Sequence, residues 1–224
     1  SIRRQRQMCI RDRLKVCRTI GTLSPKHYEA ALSVQGTLVQ LLPASSTLAE
    51  HEINKLFKTC TLPTPLSTRD RLVLALLFGC GLQRSSITQL LIEDNNLSRQ
   101  ENYISSPLER IIYTPAGTHE ALSNWLKIRG DGPGPLICPI RKGGKIQARS
   151  LTDQAILVIV RRRAAQAGLD RLRPLDLRAT YMRNLLENGV EPHIVHQLAG
   201  LSSPQAALSY PPKKERAKRA AVHL

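Results

Sequence analysis

Aromatic side chains, acidic side chains and long apolar runs are all scarce in this sequence, and each scarcity removes a class of function. Aromatics are only 4% of the 224 residues, too few to supply the stacking platforms with which single-strand binders hold successive bases. No apolar run approaches the roughly 18 residues of a membrane-spanning helix. The longest candidate, Leu72–Cys80, is flanked by Arg69, Asp70, Arg71 and Arg84, so no membrane partner is expected and a cytoplasmic location is. Cys9, Cys17, Cys60, Cys80 and Cys138 form no C-x-x-C pair. Neither a disulfide framework nor a zinc site follows from them, and reduced thiols are expected. The G-x-x-x-x-G-K-[ST], G-x-G-x-x-G, H-E-x-x-H and G-x-S-x-G patterns are absent as well, so no nucleotide or other cofactor is expected. His193 and His196, at i and i+3, lack a third ligand at metal spacing and are read as part of a polar helix face.

What the chain has is positive charge. Thirty-three Lys and Arg against seventeen Asp and Glu give a formal charge of +16, a surplus that repels itself unless a polyanion neutralises it. Residues 1–13, SIRRQRQMCIRDR, resemble translated adapter sequence and are expected to be an artefact or disordered. Without their five arginines and one aspartate the charge falls from +16 to +12 and the inference stands. The basic residues cluster as Arg141, Lys142, Lys145 and Arg149 around Gly143-Gly144, then Arg161-Arg162-Arg163, Arg171 and Arg173, and finally Lys213, Lys214, Arg216, Lys218 and Arg219. The face bearing Arg141, Lys142, Lys145, Arg161, Arg162 and Arg163 is expected to contact the phosphates of double-stranded DNA. The competing reading is a basic module for RNA or for an acidic protein.

Periodicity and punctuation predict a mainly α protein with a small antiparallel β-sheet. Helices are expected at His27–Leu42 behind a Ser24-Pro25 cap, Leu48–Thr59, Thr68–Cys80, Ser85–Leu91, Ala116–Ile128, Leu151–Gly168, Leu177–Asn188, Pro192–Ala199 and Ser203–Tyr210, with a last basic helix from Lys213. Thr47, three residues before Glu50, reads as the cap of the second helix. Tyr103-Ile104, Ile111-Ile112-Tyr113 and Leu136-Ile137 read as a three-stranded sheet. Residues 14–47 are expected to form a short helical segment and linker, and residues 48–224 the main domain.

The most informative stretch is Leu175–Tyr210, LDLRATYMRNLLENGVEPHIVHQLAGLSSPQAALSY. It resembles the C-terminal half of the tyrosine recombinase (phage integrase) catalytic domain, whose pattern is H-x-L-R, a helix ending L-L-x-x-G, a helix ending L-G-H-x-S, and a tyrosine nine residues after that second His. Arg178, Leu185-Leu186-Glu187-Asn188-Gly189, Gly200, Ser203 and Tyr210 occupy those places without insertion or deletion. Upstream, Thr68-Arg69-Asp70-Arg71 with Leu72–Gly81 resembles the family's helix ending T-G-L-R, and residues 136–169 resemble its G-G turn and following helix. Residues 14–42 stand where members carry a core-binding domain.

The resemblance implies a transesterification in which a tyrosine hydroxyl attacks a DNA phosphodiester, leaving a 3′-phosphotyrosyl bond and a free 5′-hydroxyl, with no metal and no nucleotide. It implies arginines on the non-bridging oxygens and a Lys and His as proton donors, and self-association on DNA through the C-terminal helix beyond Lys213. Tyr210 and Arg178 are the catalytic residues it assigns. Gln83 stands where the family has its first arginine, with Arg84 one residue on as a substitute candidate. Leu175 and Leu201 replace two histidines, and the hairpin Ser105–Arg110 has no lysine. Site-specific recombination or integration of a mobile element with impaired catalysis is therefore expected, the alternative being a non-catalytic architectural or regulatory DNA binder.

Overall fold

In the computed structural model the described residues are 14–33, 47–92, 103–105, 111–169, 171–201 and 203–210. The chain divides into two units, Ser1–Ala44 and Ser45–Leu224. In the first, helix α1 (residues 14–19) turns at Gly21 into α2 (Pro25–Ser33). Ser24 Oγ accepts the His27 N–H at 3.4 Å, and the Arg18 guanidinium lies 4.7 Å from the centre of the Tyr28 ring. The predicted extension of α2 to Leu42 lies outside the described residues, as does the expected helix from Lys213.

The second unit is built around α4 (Pro65–Gly79). Leu72, Val73, Leu74, Leu76 and Leu77 are all fully buried, so the helix is apolar on every side and must be surrounded. Around it stand α6 (Ala116–Arg129), α7 (Asp153–Gln166), α8 (Pro174–Glu187) and the short α5 (Arg84–Thr88), while α3 (Glu50–Lys58) packs on α7. Trp125 of α6 is fully buried and donates its indole N–H to the Leu136 carbonyl at 2.7 Å. The chain ends its described part with α9 (Pro192–Ala199) and α10 (Pro204–Leu208), which pack on each other. No helix among the described residues is long and apolar enough to cross a membrane.

Helices α4 and α8 start three residues earlier than expected. Pro65, Pro174, Pro192 and Pro204 each sit in the first turn of their helices, where a missing N–H costs no bond and the fixed φ favours helix. Thus α4 starts at Pro65, with Thr64 Oγ1 accepting the Ser67 N–H at 3.2 Å, and α8 starts at Pro174. Thr47 does not cap α3. The cap is Ala49, whose N–H is taken by the Glu52 carboxylate at 2.7 Å.

The sheet has two strands among the described residues, β1 (Tyr103–Ser105) and β2 (Ile111–Tyr113), antiparallel with Ile104 opposite Ile112. The expected third strand is instead a pair of bonds to the exit of α5. The Leu136 N–H reaches the Leu90 carbonyl at 2.8 Å, and the Ile92 N–H reaches that of Gly134 at 2.9 Å. Pro135 and Pro139 bracket Leu136 and Ile137 and have no N–H to extend a ladder.

Candidate active site and basic surface

Arg178 is the fifth residue of α8, one turn in, and its side chain is almost completely buried. One terminal nitrogen, Nη1, donates to the Gly81 carbonyl, and Nη2 donates to the Ala199 carbonyl at 2.8 Å. The guanidinium thereby joins the turn after α4 to the end of α9. That turn needs glycine for two reasons. Gly81 has φ +61°, and a Cβ there would stand 2.3 Å from Cδ1 of Tyr181. One side of the Tyr181 ring therefore lies close against bare backbone, on the segment that offers Arg178 its carbonyl.

Tyr210 follows α10, its N–H bonded to the Ala207 carbonyl at 3.0 Å. It is half-buried against a small apolar cluster separate from the main core, formed by Met182, Val195, Ala199 and Ala207 with Tyr181, Leu185, Leu186, Val190 and Leu201. Met182 is one turn beyond Arg178, and Ala199, whose carbonyl accepts from Arg178, belongs to the same cluster. Gly200 closes α9 in the left-handed conformation at φ 59°, and the Leu201 N–H returns to the His196 carbonyl at 3.1 Å. The chain turns there toward α10, which Ser203 Oγ caps by accepting the Ala206 N–H at 3.3 Å.

Leu201, Gln83 and Arg84, singled out in the sequence, have structural roles that their residue types explain. Leu201 is half-buried and packs on the small cluster, adding apolar contact but offering no proton. Gln83 is exposed at the start of α5. Arg84, the first residue of that helix, reaches across to the Asp153 carbonyl at 3.2 Å, and Thr88 Oγ1 reaches the Asp153 carboxylate at 3.3 Å. Arg84 therefore ties α5 to the N-terminus of α7.

The basic residues separate into two groups. Arg141, Lys142 and Lys145 are exposed on a tight turn with Gly143 and Gly144 at φ 92° and 84°. The turn is closed by the Arg141 N–H to the Lys145 carbonyl at 3.0 Å and by the Ile140–Ile146 bridge. Arg161 is exposed too, and Arg162 keeps 39% of its side chain in solvent while pairing with Asp70.

Arg163 corrects the sequence expectation, because it is buried and its guanidinium is engaged inside the fold. Its Nε meets Asp70 Oδ2 at 2.8 Å, Nη1 meets the Thr59 carbonyl at 2.6 Å and Gln166 Oε1 at 3.1 Å, and Nη2 meets Ser67 Oγ at 3.2 Å. At about 100° per helical residue, the three consecutive arginines of α7 cannot share one face. Asp70, wholly buried, also receives Arg69 at 2.7 Å. One carboxylate thus gathers three guanidiniums and ties α4 to α7, while Arg163 reaches on to Thr59 at the end of α3. Sequence reading missed this centre; its available signal was an aspartate standing between arginines at the head of an apolar helix.

Among the described residues no cluster of three or more His, Cys, Asp or Glu could hold a metal ion. His193 Nδ1 lies 3.1 Å from the Glu191 carboxylate, both exposed. Burial pushes the Cys80 thiol up to about 12, and burial likewise raises that of Cys60, against the weaker opposing effect of its hydrogen bond with Thr59.

A family model described as the phage integrase family matches residues 46–215. The chain belongs to that family. Among curated relatives, tyrosine recombinase XerC of Corynebacterium glutamicum is 31% identical over 147 residues, 63% of this chain and 46% of that protein. Tyrosine recombinase XerA of Thermococcus onnurineus is 28% identical over 165 residues, 72% of this chain and 55% of that protein. The chain therefore spans about half the length of these phage integrase family relatives.

Solved structures agree on the fold. A crystal structure of XerA recombinase superposes with a TM-score of 0.64 at 20% identity, covering 88% of this chain and 72% of that one. A lambda integrase dimer bound to a COC′ core site gives 0.58 at 17% identity, covering 90% and 69%. A XerH recombinase bound to its difH substrate gives 0.59 at 20% identity, covering 77% and 52%.

Proposed function

We propose that this chain binds double-stranded DNA and acts in site-specific recombination or integration for a mobile element, through cleavage and rejoining by Tyr210 and Arg178. The observation that carries the reading is the Arg178 bridge between the Gly81 and Ala199 carbonyls. It brings together the segments that resemble the family's T-G-L-R and L-G-H ends and sets them beside the small cluster on which Tyr210 packs. Both DNA-bound neighbours, the XerH–difH complex and the lambda integrase dimer, support a duplex partner.

In the reaction, Tyr210 Oη forms a bond to phosphorus while the bond to the 5′ oxygen breaks, and the positive charge of Arg178 stabilises the non-bridging oxygens. The 5′ oxygen leaves as an alcohol and needs a proton. With Leu175 and Leu201 at the histidine positions and Gln83 at that of the first arginine, both proton supply and charge stabilisation are reduced. Removing one such stabilising donor costs about 10²–10³ in rate, so cleavage is slow.

Binding is through phosphate contacts from Arg141, Lys142, Lys145, Arg161 and Arg162. Residues 213–224 are assigned to self-association on DNA, and deleting them weakens assembly on the duplex. The reading is tested with nicked duplexes carrying the sequence that flanks the gene. The protein becomes covalently attached to DNA, and Tyr210→Phe abolishes the adduct while still binding. Binding without any Tyr210-dependent adduct would replace this reading with that of a non-catalytic DNA binder, which the exposed Gln83 and the packed Leu201 favour.

A further inference from the structure

The helix that carries Arg178 is held from behind by the segment that opens the second unit. Leu48 N–H donates to Thr180 Oγ1 at 3.0 Å across 132 residues of sequence, and Thr180 is 1% and Leu48 8% exposed. The Thr180 hydroxyl is itself oriented, since it donates to the Asp176 carbonyl one turn back at 2.7 Å and so aims its lone pairs away from that carbonyl. The Asp176 carboxylate completes the arrangement by accepting the Arg173 N–H at 2.8 Å at the start of α8. The next residue of the incoming segment is fixed as well, with the Ala49 N–H on Glu52 of α3. Residues 48 and 49 therefore hang between two helices by consecutive backbone N–H groups, with the Leu48 side chain in the main core.

Helical geometry says what this attachment can control. Asp176 and Thr180 are four residues apart and share a face, while Arg178 stands two residues from each, about 200° around the axis. The front of α8 presents Arg178 to the Gly81 and Ala199 carbonyls, and the back takes Leu48. A helix gripped on opposite sides within one turn has its rotation and its height fixed. A displacement of about 1 Å at such a group can lower a reaction rate by about 10²-fold.

We propose that Thr180 is a positioning residue, which latches the entry segment at Leu48 onto the back of α8 and thereby sets where Arg178 stands. The inference rests on the reading that Arg178 engages the scissile phosphate, and its consequence is that a pull on Leu48 is felt at that arginine. Thr180→Val keeps the shape and removes the acceptor; Thr180→Ser keeps both hydroxyl and acceptor.

The first measurement needs no activity: amide hydrogen exchange on the full chain. In Thr180→Val, exchange at Leu48 and at the α8 amides of residues 178–182 is expected to rise at least tenfold relative to both wild type and Thr180→Ser, while amides of α6 around Trp125 keep their protection and report an intact fold. Unchanged exchange at Leu48 or in α8 overturns the latch. The second measurement is single-turnover adduct formation on the nicked gene-flanking duplex. Thr180→Val is expected to be at least tenfold slower than wild type with unchanged affinity for the duplex, and Thr180→Ser to recover the rate. Equal rates overturn the positioning role. A wild-type protein that forms no adduct overturns the strand-cleavage reading alone, and the exchange comparison then decides the latch.

Discussion

Arg178 Nη2 stands 2.8 Å from the carbonyl oxygen of Ala199, so the two halves of the candidate site touch directly across twenty-one residues of chain. Arg178→Lys replaces a fork that spans two carbonyls with a single point donor. Adduct formation is expected to fall by about 10²–10³, with duplex affinity unchanged. Single-turnover gels and a parallel binding titration separate the two quantities, and loss of binding in step with cleavage would contradict the assignment.

Asp70, itself fully buried, anchors three guanidiniums, of which Arg69 and Arg163 are buried with it and Arg162 is partly in solvent. Asp70→Asn leaves buried cations without their anion, a change that costs about 3–5 kcal/mol. For a unit of this size that corresponds to a melting temperature lower by about 10 °C. Thermal and urea denaturation measure it directly.

Salt dependence distinguishes the exposed arginines and lysines from the buried one. Each phosphate contact adds about 0.9 to the slope of log affinity against log salt. Lys142→Gln with Lys145→Gln is expected to reduce the slope by roughly 1 to 2 and leave the melting temperature in place. Arg163→Gln is expected to do the reverse, keeping the slope and lowering stability. A slope change in the Arg163 variant would put that side chain on the DNA after all.

The Cys80 thiol is held neutral by burial, with its ionisation moved from 9.0 to about 12. Below pH 9 both folded and unfolded chains keep that proton; between pH 9 and 12 only the folded one does. Stability is therefore expected to fall as pH rises through this window, by up to about 1.4 kcal/mol per pH unit from this group. Cys60 acts in the same direction. Urea denaturation at pH 8 and pH 10, compared with Cys80→Ala, checks the sign: the variant loses less stability on going alkaline.

The sequence made some of this legible and hid the rest for physical reasons. Helix α9 was readable to the residue, because Pro192 opens it and Gly200 closes it with the left-handed turn. The same proline logic, unused at Pro65 and Pro174, placed the starts of α4 and α8 three residues late. Leu136 and Ile137 have strand-like side chains, yet their neighbouring prolines deny them a ladder. Arg178 and Tyr210 were visible through register alone, whereas the convergence on Asp70 depends on how α7 is rotated against α4. No local pattern encodes that rotation. Leu48 and Thr180 were equally invisible, being ordinary residues joined only by the fold.

The division of apolar side chains into a large core and a small one bears on how damage to this protein would show itself. Tyr210 is packed on the lesser assembly of Met182, Val195, Ala199 and Ala207, which has far less buried surface to lose than the body around α4. Such a patch can open on its own at a fraction of the free energy of global unfolding. A substitution there, Val195→Ala for instance, would hardly move a melting curve dominated by the larger core, yet it would raise the fraction of molecules in which Tyr210, the proposed nucleophile, is out of place. Inheritance of slightly worse versions of this segment would go unnoticed by any screen for solubility or heat resistance, and would register only as a slow loss of chemistry.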